Sequence, residues 1–203
     1  MTTTATTGST ATSDPRTLYS AALSWALEVV RGVRPDQFDD PTPCTELDVR
    51  ALLAHLVATV DRAAVLGRGG DAAAAPWSAE TVGDDWASAY AGAIDGMWAV
   101  WGAPDGDALL DRIVTAPFGT VPGRAAVMAY TSETLVHGWD LAVATGQHAE
   151  ADPGVAEAVL TVMQQVLPAE PRGGRVPFAA PVPPRADAGP TERLANWCGR
   201  SRP

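Results

Sequence analysis

Apolar residues recur at helical spacing along most of the chain. Leu18, Ala22, Trp25, Val29 and Val30 follow Asp14-Pro15, an N-cap followed by proline at the first helical position. This predicts a first helix over Pro15–Arg31. A second is predicted over Asp48–Leu66, with a stripe of Val49, Leu52, Leu53, Leu56, Val60 and Ala63. His55 stands beside that stripe, in a row with Ala51, Thr59 and Arg62. A third, over Ala79–Trp101, carries Trp86, Tyr90, Ile94, Met97, Trp98 and Trp101, aromatic positions that suit a core. The fourth runs from Pro122 to Thr145-Gly146, where glycine supplies the stop. It is apolar nearly all round, the pattern of a buried helix.

The connections are equally legible. Gly32–Thr45 and Gly67–Ser78 are loops, and Ala108–Val114 is a short extended or helical piece leading into the loop Ala116–Val121. Asp152-Pro153 caps a fifth helix ending near Leu167, and Thr191–Arg200 forms a short last one. Met1–Ser13, rich in Thr and Ser, reads as a disordered tail, and Pro168–Pro190 as a stretch without a clear element. The pattern therefore predicts an all-α chain of one domain. The bundle occupies residues 14–167, followed by a Pro/Gly-rich extension over residues 168–203.

Composition narrows the function. The 203 residues carry a net charge of −10, with 14 Arg and no Lys. Phosphate contacts need clustered cations, so nucleic acid is an unexpected partner. No apolar run approaches a membrane span and the N-terminus lacks a signal-peptide pattern. The expectation is a cytoplasmic protein with reduced thiols at Cys44 and Cys198, acting on a small molecule. Nothing in the pattern decides between a monomer and a homodimer.

Candidate chemistry centres on Thr131–Leu141. Glu133 and His137 stand four apart, one turn along one helical face, and Asp140 follows three residues later. Between Pro122 and Thr145 the charged or metal-binding side chains are Arg124, Glu133, His137 and Asp140. Buried charges must be paired or bind a metal. His55, one of three histidines, can join from the second helix. Two imidazoles and a carboxylate suit a catalytic metal site that keeps positions open. Asp140 would then hold a ring nitrogen of a ligand histidine. An internally hydrogen-bonded Glu–His pair is the plainer reading of the same spacing. Neither His-Glu-x-x-His nor Glu-x-x-His is present. Cys44, at the entrance to the second helix, is a functional thiol or fourth ligand, or else a small buried hydrophobe. Arg50 and Arg62 could meet an anionic substrate, although long charged side chains normally face solvent.

Two stretches resemble the mycothiol-dependent maleylpyruvate isomerase family. One runs from Thr42-Pro43-Cys44-Thr45 through Asp48-Val49-Arg50 to His55-Leu56. The other is Glu133-Thr134-Leu135-Val136-His137-Gly138-Trp139-Asp140-Leu141-Ala142 with Ala144-Thr145-Gly146. Leu47 stands where the family usually has Trp. The likeness covers about Pro15 to Gly146 and is looser in the tail; it is strongest to small uncharacterised actinobacterial members. It implies a DinB-like four-helix bundle, here with an extra C-terminal helix and a Pro-rich tail. It also implies a divalent metal, zinc before nickel or iron, on His55, Glu133 and His137. Asp140 is the catalytic support, Arg50 and Cys44 are candidate cofactor-binding residues, and mycothiol is the implied thiol. The expected activity is thiol S-transfer or thiol-assisted isomerisation of a small electrophilic metabolite. A metal-dependent hydrolase and a non-catalytic ligand-binding bundle are the alternatives.

Overall fold

The computed structural model describes residues 14–80, 83–173, 176 and 178–202. The expected tail over Met1–Ser13 lies outside them. Four long helices form the bundle: α1 (Pro15–Arg31), α2 (Val49–Gly67), α3 (Trp86–Trp101) and α5 (Gly123–Ala144). Helix α1 packs on α5 and α3, and α2 packs on the same two, so the four close into a ring. A short α4 (Gly106–Asp111) precedes α5. Helices α6 (Pro153–Val166) and α7 (Pro190–Trp197) pack together and lean on α5. The chain is thus an all-α, DinB-like bundle with an added C-terminal helical layer.

Local chemistry sets the boundaries. The carboxylates of Asp14, Asp48, Asp85 and Asp152 accept from backbone N–H groups in the first turns of α1, α2, α3 and α6. Helix α3 begins at Trp86, later than the apolar pattern predicts. Asp85 captures the Ser88 amide there, and Gly83 just before it has φ of 81°. The preceding segment lies on α2 instead, with the Ala79 amide donating to the Ala54 carbonyl at 3.0 Å. A hairpin also forms where a short piece and a loop are expected. Strands β1 (Ile113–Ala116) and β2 (Gly119–Pro122) pair antiparallel, from Ile113↔Pro122 to Ala116↔Gly119. Val114 and Ala116 alternate inward while Ile113 and Thr115 face out, the period of a half-buried strand.

Helix α5 is the axis of the molecule. It touches α1, α2, α4, α6, α7 and both strands, which is why its apolar residues surround it. Leu135, Trp139, Leu141 and Ala142 are fully buried. Gly138 permits the close crossing with α1, since a Cβ there would overlap the Trp25 ring. Gly146, with φ of 70°, ends the helix, and the next amide, of Gln147, returns to the Ala142 carbonyl at 2.8 Å.

Candidate metal centre

Helices α2 and α5 pack together and bring His55, Glu133 and His137 into one cluster. One oxygen of Glu133, Oε1, lies 3.3 Å from Nε2 of His55 and 3.4 Å from Nε2 of His137. The imidazole centroids are 4.9 Å apart and the rings nearly perpendicular. Both histidines are buried, while the Glu133 side chain keeps 35% of its surface exposed. The cluster therefore opens to solvent on the carboxylate side.

The other ring nitrogens are held from behind. Nδ1 of His55 lies 3.0 Å from the Trp77 carbonyl oxygen. Nδ1 of His137 lies 3.0 Å from Oδ2 of Asp140, which is fully buried. A carbonyl and a carboxylate only accept, so each Nδ1 carries the hydrogen. In neutral rings both Nε2 lone pairs then face the Glu133 carboxylate. Such a convergence of acceptors attracts a positive charge between them, either a proton or a cation, and the Thr59 hydroxyl, 3.5 Å from His55 Nε2, is a further neutral donor there. Two imidazole nitrogens and a carboxylate oxygen are also the donor set of an open divalent-metal site. The residues present fit such an ion.

In the absence of an ion, protons take that role. Burial alone would raise the Glu133 carboxyl, but hydrogen bonds from His137 and His55 hold it well below the usual carboxylate range. Burial alone would lower His137, yet Asp140 and Glu133 push it up to about 9. Two carboxylates around one imidazole thus make this position strongly attractive to positive charge.

Arg200, delivered by the chain just after α7, completes the surroundings. Its Nε donates to Asp140 Oδ2 at 3.1 Å, and a terminal nitrogen lies 3.4 Å from the sulfur of Cys44. Cys44 is half-buried in the loop before α2, where Thr42 accepts from its amide at 3.1 Å. Burial raises its thiol, and Arg200 partly offsets this. The sulfur, a His137 nitrogen and an Asp140 oxygen all lie within 4.8 Å of one another. Cys44 is therefore brought to the edge of the cluster.

The arginines of α2 part company. Arg50 is exposed, ion-paired with Asp84 and laid over the Phe38 ring. Arg62, for which solvent is the ordinary expectation, is buried with 3% exposure beneath the Trp77 ring, its guanidinium carbon 3.9 Å from the ring centroid. Trp77 also stacks parallel to His55 at 5.9 Å. Sequence reasoning passed over Trp77 and Arg200. The first acts through a backbone carbonyl, which no residue type betrays. The second sits far from the site in sequence, in the tail where the family likeness is looser. A separate surface hollow, lined by Leu66, Asp71, Arg112 and Val114 among others, contains none of these groups.

The family model for the mycothiol maleylpyruvate isomerase N-terminal domain matches residues 20–142, which hold all three candidate ligands and Asp140. Two uncharacterised proteins from different strains of Mycobacterium tuberculosis are each 30% identical to the chain over 193 residues. Those alignments span 93% of this chain and 98% of each relative, so they extend beyond the segment the family model matches. No solved structure matches the chain significantly. With the matched segment covering the bundle and its cluster, the chain belongs to the mycothiol maleylpyruvate isomerase N-terminal domain family.

Proposed function

We propose that the protein is a metal-dependent enzyme that adds a low-molecular-weight thiol of the mycothiol type to a small electrophilic metabolite, as an S-transferase or a thiol-assisted isomerase. The observation that supports it most is the shared focus of His55 Nε2, His137 Nε2 and Glu133 Oε1, with both Nδ1 atoms held from behind. These three residues would hold a divalent ion, zinc before nickel or iron. Bound there, such an ion would lower the pKa of a coordinated thiol and supply the thiolate at neutral pH.

The chain's own groups have separable tasks. Asp140 fixes the His137 tautomer and ring direction, and the Trp77 carbonyl does the same for His55. Arg200 balances the buried Asp140 carboxylate and borders the Cys44 sulfur. The exposed edge of Glu133 marks where a thiol and its electrophile would enter. No helix among the described residues is long and apolar enough to cross a membrane, which accords with a cytoplasmic enzyme.

The same cluster supports a second reading. Glu133 beside a His137 that favours its charged form is self-sufficient as a polar core pair, as in a non-catalytic bundle. Metal analysis of untagged protein separates the two. About one zinc per chain in wild type, and little in His55→Ala, is the expected result. Cobalt-substituted protein should then gain a sulfur-to-metal charge-transfer band on addition of a small thiol. Wild type that takes up no zinc, nickel or ferrous iron would support the polar core instead. Metal without thiol ligation would point to a hydrolase.

A further inference from the structure

Trp77 keeps 59% of its surface exposed, yet it reaches one face of α2 in three ways. Its carbonyl oxygen lies 3.0 Å from Nδ1 of His55. Its ring stacks on the His55 imidazole, with the planes 3° apart and the centroids separated by 5.9 Å. The same ring covers Arg62, whose guanidinium carbon lies 3.9 Å from the ring centroid. His55, Thr59 and Arg62 follow one another at helical spacing, so they share that face.

Arg62 gives a reason for an exposed indole to stay in place. The arginine is buried, and among the described residues it forms no ion pair. One terminal nitrogen donates to Thr59 Oγ1 at 3.2 Å, and Nε has no hydrogen-bond partner among the described residues. The aromatic face is therefore the main compensation for its buried charge. A guanidinium is drawn to the electron-rich face of an indole, and more strongly where water is excluded. Ring and carbonyl belong to one residue, so holding the ring limits where the carbonyl can go. The chain is pegged to α2 again two residues on, where the Ala79 amide donates to the Ala54 carbonyl at 3.0 Å.

We propose that Arg62 and Trp77 are positioning residues for His55. The buried guanidinium holds the indole, and the indole holds the Trp77 carbonyl on Nδ1, which leaves the Nε2 lone pair facing Glu133. The inference deepens the reading of His55 as a metal ligand and rests on it. It gives Arg62 a task in which no substrate takes part. A ligand histidine whose second nitrogen is held keeps its tautomer and its direction. Here that hold is passed from a cation two turns along α2, through an aromatic ring, to a backbone carbonyl.

Zinc affinity, read by competition with a chromophoric chelator, is compared in wild type, Trp77→Ala, Trp77→Phe, Arg62→Met and Arg62→Lys, with helicity followed by circular dichroism. Trp77→Ala should bind zinc about tenfold more weakly, as when the group behind a ligand histidine is lost. Arg62→Met should weaken binding about three- to tenfold, the range of a partly desolvated cation–aromatic contact. Trp77→Phe and Arg62→Lys should recover most of the loss, because each restores a cation over a ring. The double variant Trp77→Ala/Arg62→Met should bind no more weakly than Trp77→Ala, since both changes remove one contact. Trp77 is exposed, so its variants keep the test decisive if Arg62→Met does not fold. In chelator-treated protein the His55 Nδ1–H resonance, assigned by its absence in His55→Gln, should be sharp in wild type and broadened or lost in Trp77→Ala. Unchanged zinc affinity in Trp77→Ala would show that the Ala79–Ala54 hydrogen bond seats the loop unaided. Additive losses in the double variant would show that Arg62 acts by another route. Either result, or a Nδ1–H resonance that persists in Trp77→Ala, overturns the proposal. Wild type that takes up no zinc sinks the metal reading, and the resonance then decides this proposal without it.

Discussion

Arg200 and His137 meet on one atom of Asp140. The arginine Nε donates to Oδ2 at 3.1 Å, and Nδ1 of His137 lies 3.0 Å from the same oxygen. The tail beyond α7 is thereby linked to a candidate metal ligand on α5 through a single buried carboxylate. Asp140 has 0% exposure, so its charge depends on both partners.

Removing that carboxylate should loosen the metal without abolishing the ligand set. Asp140→Ala is expected to weaken zinc binding about 10- to 100-fold, the usual effect of losing the group behind a ligand histidine. Arg200→Gln should weaken it less and cost about 2 kcal/mol of stability as a charge-assisted hydrogen bond is lost. Competition with a chromophoric chelator and urea unfolding check the two. Unchanged zinc affinity in Asp140→Ala would show that His137 is oriented by packing alone.

Metal removal should be visible in stability. Zinc at a thousandfold excess over its dissociation constant stabilises the folded state by about 4 kcal/mol. Chelator should therefore lower the unfolding midpoint of wild type by several degrees. His137→Ala should unfold at one temperature with or without zinc, while its circular dichroism stays helical. A zinc-dependent midpoint in that variant would remove His137 from the ligand set.

The C-terminal layer should be acid-sensitive. Arg185 holds the carboxyl of Glu192 below its ordinary value, burial works against this, and Arg202 adds to the lowering. A carboxylate with a depressed folded-state pKa gives stability that is present above its unfolded value, 4.5, and lost as pH falls through the folded value. Wild type should therefore lose stability below about pH 4.5 more steeply than Glu192→Gln. Urea midpoints between pH 3 and 7 decide the matter, and parallel curves for the two proteins would refute the assignment.

Gly138 should tolerate no side chain while Trp25 is present. A Cβ there would overlap the indole of α1. Gly138→Ala is expected to lower stability by about 1–3 kcal/mol through overpacking. The double variant with Trp25→Leu should recover part of that loss relative to Trp25→Leu alone. A double-mutant cycle with no coupling would place the close crossing elsewhere.

Much of this architecture is written in local signals. Apolar spacing located all four bundle helices, because a helix that buries one face must repeat its apolar residues every three or four positions. The aspartate caps at Asp14 and Asp152 marked the starts of α1 and α6, and Gly146 the end of α5, since caps act within a few residues. The unbroken apolar surface of α5 announced a helix enclosed on all sides, and the Glu133–His137–Asp140 spacing announced one edge of the cluster. Two local readings differed. The α3 start depended on a cap at Asp85, and the hairpin at Ile113–Pro122 needed pairing across a two-residue turn.

Tertiary structure decided the rest. His55 meets Glu133 only because α2 packs on α5 and brings together residues 78 positions apart. Arg50 and Arg62 are alike in sequence and lie on one helix. Yet one pairs with Asp84 in solvent, and the other is buried under Trp77, according to which neighbours cover each face. The holds on His55 and Asp140 come from a loop carbonyl at Trp77 and from Arg200 in the tail. Such contacts have no period and no motif: they arise where packed elements happen to place an acceptor opposite a donor, a property of the folded surface rather than of any stretch of chain.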